Sequence, residues 1–268
     1  QLTKNGVVTE RGKFASEMYL EPSIARMIIA GVELGVLDQM LSIASMLTVS
    51  HVIYQVGKHV NLSRINNADT SGDLLSMLSL FTQFSTIGAN QVEKQKEWCQ
   101  REALNWSAFC SAAQTKRDLT LSVEKILKTV DKSSKTDQNN LETLVVKAIC
   151  SGLHPNLAYF SNLLNDGTKV YKIVALEQEA CVHPTSVVSL LDTQDRDTRF
   201  VLFNELLRTD KLYMKNITPI ELDQITEYST VNLRNVRRSV KSVVHRSLTP
   251  GIASALQFRN NEMIEQLE

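Results

Sequence analysis

Residue types that can bind a polyanion are concentrated in one stretch of the chain, from Val182 to Thr218. The stretch holds an imidazole beside a proline, two small hydroxyls, an apolar run and an alternation of lysines with an aromatic ring. Lysines neutralise phosphates and a ring stacks on a base, so the pattern favours a β-surface that contacts a nucleic-acid backbone. Catalysis is not indicated, because no partner base, nucleophile or metal cluster accompanies the imidazole. The candidate binding residues in this stretch are His183, Thr185, Ser186, Lys211, Tyr213 and Lys215.

These residues also have ordinary structural interpretations. His183 can be a hydrogen-bonded structural histidine, and the hydroxyls of Thr185 and Ser186 can cap a local turn. Pro184 favours an extended backbone at His183, which suits a strand end at the rim of a barrel.

The strand predicted over residues 212–217 has two candidate roles. Strand alternation puts Tyr213, Lys215 and Ile217 on one face. That face is either a single-strand binding surface or a half-buried tyrosine beside a solvated lysine.

A second basic region lies near the end of the sequence. From Tyr228 to Asn261 there is no Asp or Glu, and six Lys and Arg residues give a local charge of +6. An amphipathic basic helix can dock on its apolar side and offer charge to RNA or to an acidic partner. The alternative is a packed helix with a solvated charged face. The predicted basic face holds Arg234, Arg237, Arg238 and Lys241.

The composition excludes several classes of protein. Hydrophobic residues are 43%, charged residues are 22% and the net charge is zero, so a globally basic nucleic-acid binder is excluded but a local patch is not. The four cysteines form no C-x-x-C pair, which argues against zinc and indicates buried thiols in a reducing compartment. We expect no catalytic residue, no metal site, no signal peptide and no membrane span.

Helical periodicity dominates the first half of the chain. One helix is predicted from Pro22 to Gly31, another along the stripe from Leu37 to Leu47, and a third capped by Asp73. A longer helix is predicted from Leu119 to Val130, and the fully polar run at residues 131–140 is the best linker candidate. A further apolar face runs from Leu141 to Ile149.

The period then changes from helical to extended. Residues 170–176, 180–182, 199–207 and 212–217 are rich in β-branched and aromatic residues and predict strands. Four or five short strands suit a small barrel of the OB type. A capping box at Thr218 to Glu221, with Pro219 inside it, predicts that a helix begins there.

These segments, taken in order, resemble the C-terminal region of DEAH/RHA-type RNA helicases. Residues 41–47 (LSIASML) resemble the family's I-A-A-M-L helix, and residues 72–78 (GDLLSML) resemble its G-D-H-L-x-L-L motif. Trp98-Cys99 matches a W-C pair, and residues 147–158 resemble the K-A-I-x-S-G-x-x-x-N-x-A stretch that leads into the OB fold.

The resemblance continues through the second half of the chain. Residues 183–186 (HPTS) resemble H-P-S-S, and residues 203–214 resemble Y-x-E-x-x-x-T-x-K-x-Y-M, which adds Thr209 to the RNA-binding candidates. Two positions depart from the family pattern: Leu74 replaces a histidine and Phe203 replaces a tyrosine. A contact made by either missing polar group would be absent here.

The elements and the resemblance together imply an α+β architecture. A helical ratchet-like bundle is followed by a small OB-like barrel and a C-terminal helix. The predicted divisions are residues 1–21 for the end of a winged-helix domain, 22–135 for the ratchet-like helicase-associated domain, 136–228 for the OB fold and 229–268 for a basic C-terminal helix or tail.

The resemblance implies an accessory region of an ATP-dependent RNA helicase, which closes the RNA channel and grips single-stranded RNA. The sequence has no G-x-x-x-x-G-K-[ST] loop and no Asp-Glu-x-His box, so we expect ATP and magnesium only in a parent motor N-terminal to Gln1 and no cofactor in this chain. The implied partners are single-stranded RNA, the parent's RecA-like domains and glycine-patch or other regulators. No membrane is implied as a partner. The implied location of the protein is the nucleus rather than the cytoplasm. The alternative is a non-catalytic protein-docking module of helicase-like fold that has lost RNA binding.

Overall fold

The computed structural model describes residues 3–4, 6–17, 20–54, 72–127, 141–189 and 199–225. The chain begins with a small hairpin of β1 (Thr3–Lys4) and β2 (Val7–Val8), as the Asn5-Gly6 dipeptide predicts. The hairpin leads into a helical bundle, and the bundle leads into a closed β-barrel. The α+β class predicted from the sequence is therefore confirmed.

The bundle is built from amphipathic helices around one apolar core. In α3 the residues at helical spacing, such as Met40, Ile43 and Leu47, are buried. Phe84, Trp98 and Phe109 from three different helices make tilted and edge-on ring contacts, with centroids 5.2–6.3 Å apart. The helices are α1 (Glu10–Glu17), α2 (Pro22–Leu34), α3 (Leu37–Leu47), α4 (Asp73–Ile87), α5 (Val92–Arg101), α6 (Trp106–Leu127) and α7 (Leu141–Leu153).

The predicted end of α2 at Gly31 is wrong. The helix continues to Leu34 and ends at Gly35, which has the left-handed φ of +73° of a helix C-terminus. Gly31 lies inside the helix because α3 crosses it closely: a Cβ at this position would lie 2.6 Å from Cγ of Met40. The glycine signals a close helix crossing, which a local pattern does not distinguish from a helix end.

Five strands close the barrel in the order β3-β4-β5-β7-β6. Every pairing is antiparallel except β5 with β7, which is parallel and places Val182 opposite Met214. The first strand was not predicted, and the other four overlap the predicted segments. The strands are β3 (Leu157–Leu163), β4 (Lys169–Ile173), β5 (Glu179–Val182), β6 (Phe200–Arg208) and β7 (Leu212–Ile220).

One wall of the barrel is buried on both faces. In β6, Phe200 and Leu202 belong to the helical core, whereas Val201 and Phe203 face the barrel core. Strand alternation therefore divides the run FVLF between two cores, which explains why it is apolar at every position. The barrel is packed directly onto the bundle, and α7 lies against α2 on the bundle side.

The predicted helix at Thr218 to Glu221 is also wrong. Strand β7 continues through Pro219, which lies opposite Val201 of β6, and in the last described residues, 222–225, it is followed by a 3₁₀ turn. Thr218 is fully buried in the sheet. The local capping signal is overridden because Ile217 and Ile220 are buried in the strand, one in each core.

Some predictions lie outside the described residues. They include the linker at residues 131–140, the boundary between residues 135 and 136, and the basic face of Arg234, Arg237, Arg238 and Lys241. Across the described ranges, no helix is long and apolar enough to cross a membrane.

Candidate functional site

Asp73 joins the bundle to the barrel. Its side chain is buried at the first residue of α4, and each carboxylate oxygen accepts hydrogen bonds from the barrel. Oδ1 accepts from the Ser186 hydroxyl at 3.0 Å and from the Val187 backbone N–H at 2.7 Å, and Oδ2 accepts from the Ile217 backbone N–H at 2.7 Å. The N-cap position of α4 is Gly72, so the prediction that Asp73 caps its own helix is wrong.

Gly72 permits this close junction. It has a φ of +103° and a ψ of −172°, a conformation that is nearly restricted to glycine. A Cβ at this position would lie 2.4 Å from Cδ of Pro219 and 2.6 Å from the Ile217 carbonyl oxygen. The Gly-Asp pair therefore docks α4 onto β7.

The turn after β5 carries two of the predicted binding residues. The His183 ring nitrogen Nδ1 accepts the Thr185 backbone N–H at 3.1 Å and lies 2.7 Å from the Thr185 hydroxyl. Because Nδ1 is an acceptor, the proton of the neutral ring lies on Nε2. The ring also meets the Tyr213 ring edge-on, with centroids 5.5 Å apart, so His183, Thr185 and Tyr213 form one cluster.

Ser186 is a correction to the predicted binding set. Its side chain is buried, and its hydroxyl donates to Asp73 rather than facing a ligand. The next residues form a 3₁₀ turn, Val187–Ser189, whose first N–H also bonds to Asp73.

Lys215 lies in the middle of β7, beside a residue with a left-handed backbone conformation. Its side chain is 14% exposed, and its Nζ lies 3.5 Å from a carboxylate oxygen of Glu205 on β6. The next residue, Asn216, has a left-handed φ of +54°, which interrupts the alternation. As a result Ile217 joins Met214 in the barrel core, and the prediction that it shares a face with Lys215 is wrong.

A cleft of about 330 Å³ lies where these parts meet. The barrel contributes His183, Thr185 and Lys215, and the bundle contributes residues from α4 and from the segment after α3. The residues on the bundle side of the cleft were not predicted as binding residues, because they lie far from the barrel residues in the sequence. The further lining residues include Ser50, His51, Tyr54, Ser76 and Asn216.

Two other predicted residues lie apart from this cleft lining, in the turn between β6 and β7. Lys211 is exposed, and the Thr209 hydroxyl donates to Asp210 at 2.8 Å. The Thr209 hydrogen bond lowers the pKa of Asp210. The pKa of Asp166, in the β3–β4 turn, is lowered by hydrogen bonds from Thr168, and Lys211 contributes to both shifts. Lys211 therefore has two exposed carboxylates in its neighbourhood, those of Asp166 and Asp210.

The departures from the family motif lie in the cores. Leu74 is fully buried in the bundle, and Phe203 is buried in the barrel. Both sites are apolar packing positions in this chain, so neither offers a polar contact to a ligand.

Two of the four cysteines are buried thiols of the bundle core. Burial raises the pKa of the Cys99 and Cys150 thiols to about 12, which keeps them protonated and unreactive. Within the ranges that the structure describes, no cluster of three or more His, Cys, Asp or Glu residues could hold a metal ion.

Two protein families match the chain in the order in which the structure has its two parts. The family described as helicase associated domain (HA2), ratchet-like, matches residues 21–117, which include α2 to most of α6. The family described as oligonucleotide/oligosaccharide-binding (OB)-fold matches residues 145–230, which include most of α7 and the whole barrel.

Two similar proteins from different organisms share one name. The "Probable ATP-dependent RNA helicase DHX35" of Homo sapiens is 29% identical over 213 residues, which cover 78% of this chain and 28% of that protein. The protein of the same name from Pongo abelii is 28% identical over 214 residues, with 78% of this chain and 27% of its own length covered. The chain thus spans just over a quarter of the length of these relatives.

Proposed function

Because this chain belongs to the C-terminal region of DEAH-type RNA helicases, we propose that it is an accessory region that grips single-stranded RNA for a helicase motor. The RecA-like motor of the parent protein hydrolyses ATP with magnesium and translocates, while this region closes the channel over the RNA. The parent is therefore an enzyme, and this chain is one of its RNA-holding parts.

The observation that carries the proposal is the composition of the junction cleft. It combines an ammonium group, a histidine ring backed by a tyrosine, and a hydroxyl in a space open between two domains. Phosphate needs the charge and the hydroxyl, and an unpaired base needs a ring to stack on. His183 and Thr185 supply these groups from the turn after β5, and Lys215 supplies its ammonium group from strand β7.

The remaining parts of the proposal concern partners. The sequence has no phosphate loop and no Asp-Glu-x-His box, so we propose that the RecA-like domains of the parent supply ATP turnover. Those domains and glycine-patch or other regulators are the proposed protein partners. We place the protein in the nucleus, in RNA processing.

The test is a titration of a fluorescent oligouridylate with this chain at about 50 mM and 200 mM salt. We expect binding that weakens with salt, and a loss of the salt-dependent part in the double variant Lys211→Glu with Lys215→Glu. The matched control reverses the same amount of charge at two exposed helical lysines, Lys94→Glu with Lys125→Glu, and keeps most of the affinity. Binding that is absent, or that ignores both the salt and the double reversal, contradicts the proposal.

A second function, docking of a protein without RNA, is favoured by one specific observation. Both candidate lysines have acidic neighbours: Lys215 is paired with Glu205, and Lys211 lies near Asp166 and Asp210. A barrel that had lost RNA binding would show such neutralised cations. The same titration separates the two functions, because a docking module does not bind the oligonucleotide at either salt concentration.

A further inference from the structure

We propose that Asp73 is a positioning residue for RNA binding. It holds two segments of the barrel, the turn after β5 and strand β7, in a fixed position relative to the bundle. This inference rests on the proposed function, because it assigns to Asp73 the task of shaping the RNA cleft. Asp73 does not itself bind RNA, since a carboxylate repels phosphate.

The geometry of the carboxylate supports this role. It gathers one hydroxyl and two backbone N–H groups from barrel segments that lie 113 to 144 residues away in sequence. An ionised carboxylate is an acceptor at both oxygens, so it satisfies all three donors at once. The distances of 2.7–3.0 Å are those of strong, charge-assisted hydrogen bonds.

The two segments held by Asp73 are the ones that carry the recognition residues. Ser186 and Val187 follow Thr185 directly, and Ile217 follows Lys215 by two residues. β5 pairs with β7 only at Tyr213 and Met214, and further along β7 the Ile217 N–H is donated to Asp73 of the bundle. Release of either bond would therefore move one side of the cleft relative to the other.

The Gly72 contact fixes how close the carboxylate comes. Because Gly72 has no side chain, the start of α4 can lie directly against Thr218 and Pro219 of β7. The Asp73 side chain then reaches both the turn after β5 and strand β7. Asparagine has nearly the shape of aspartate, but its amide group turns one acceptor into a donor that faces an N–H. The substitution Asp73→Asn therefore breaks the bonding pattern and leaves the volume unchanged.

The experiment measures oligouridylate affinity for the wild type, Asp73→Asn, Lys215→Ala and the double variant, well below the unfolding temperature of each. We expect each single substitution to weaken binding by roughly tenfold and to lower the salt slope by about one. We expect the double variant to bind within about twofold of the weaker single variant, because a misplaced Lys215 has already lost its contact. Asp38→Asn is the matched control, since it removes an exposed carboxylate and leaves the affinity of the wild type or slightly improves it.

A purely structural role for Asp73 gives a different result. The effects of Asp73→Asn and Lys215→Ala then multiply, or Asp73→Asn leaves affinity unchanged, and either outcome overturns the inference. Should Asp73→Asn fail to fold, Ser186→Ala is the deciding variant, because it removes one of the three donors to Asp73. Weaker binding whose effect does not multiply with that of Lys215→Ala supports the inference. An affinity equal to that of the wild type overturns it. A wild-type chain that does not bind RNA, or a Lys215→Ala variant that binds normally, overturns the proposed function itself.

Discussion

Two regions of the molecule hold the residues that the sequence marked for RNA, and they are built in opposite ways. The junction region, formed by Gly72, Asp73, Ser186 and Ile217 with the cleft beside them, is made from contacts between residues far apart in sequence. The turn region, formed by Thr209, Lys211 and the neighbouring Asp166, is exposed and held by local hydrogen bonds. The first region is rigidly placed by two domains, whereas the second belongs to the barrel alone.

The comparison shows that two lysines of the same barrel differ in how well they can bind a phosphate. Lys215 is desolvated beside a histidine and a hydroxyl, so a phosphate placed there meets a prepared site. Lys211 is solvated and flanked by carboxylates, and exposed charges of opposite sign largely cancel. We therefore expect the junction to carry both the stability of the domain contact and most of the RNA affinity.

The largest effect is expected from a methyl group at the junction. Gly72→Ala should lower the free energy of unfolding by roughly 4 kcal/mol, because it adds backbone strain and drives a Cβ into β7. Gly167→Ala in the turn region is the matched control: its φ is +81° but nothing lies within 4 Å of the added Cβ, so about 1–2 kcal/mol is expected. Urea unfolding of both variants measures the difference, and equal losses would break the comparison.

The next effect concerns RNA affinity. Lys215→Ala should weaken oligouridylate binding by about tenfold and Lys211→Ala by about twofold, because only the first lysine lies in the cleft. Fluorescence titration at low salt gives both values, with thermal melts to show that each variant is folded. Glu205→Gln sharpens the result, since it releases Lys215 from its partner and should strengthen binding. A larger loss at Lys211 than at Lys215 would reverse the assignment.

The smallest effect is expected in the turn region. Asp166→Asn with Asp210→Asn removes the carboxylates beside Lys211 and should strengthen binding by about twofold at low salt, with no gain at high salt. Both side chains are exposed, so stability should change little. The same titration at two salt concentrations checks this, and a gain that persists at high salt would show that the effect is not electrostatic.

The sequence predicted the parts of the fold that depend on local patterns. Helical periodicity found most of α2, α3 and α4, and β-rich runs found four of the five strands. The misses have a common cause. Gly31 and the capping box at Thr218 are local signals that tertiary packing overrides, by Met40 in the first case and by the two cores around β7 in the second.

The candidate site was predicted only on its barrel side. His183, Thr185 and Lys215 line the cleft, and the ring of Tyr213 contacts the ring of His183. The sequence could not show that the Ser186 side chain is buried, because Asp73, which accepts the hydrogen bond of its hydroxyl, lies 113 positions earlier.

By itself, then, the sequence determined most of the helices and four of the five barrel strands, the order of the two domains and the residue types available for RNA. The tertiary structure alone decided that Asp73 is an interdomain acceptor, that the in–out alternation of β7 changes at Asn216 and that a cleft lies between bundle and barrel. The physical reason is the range of the interactions. Periodicity and turn chemistry act within a few residues, whereas burial of a carboxylate with three distant donors exists only once both domains are packed.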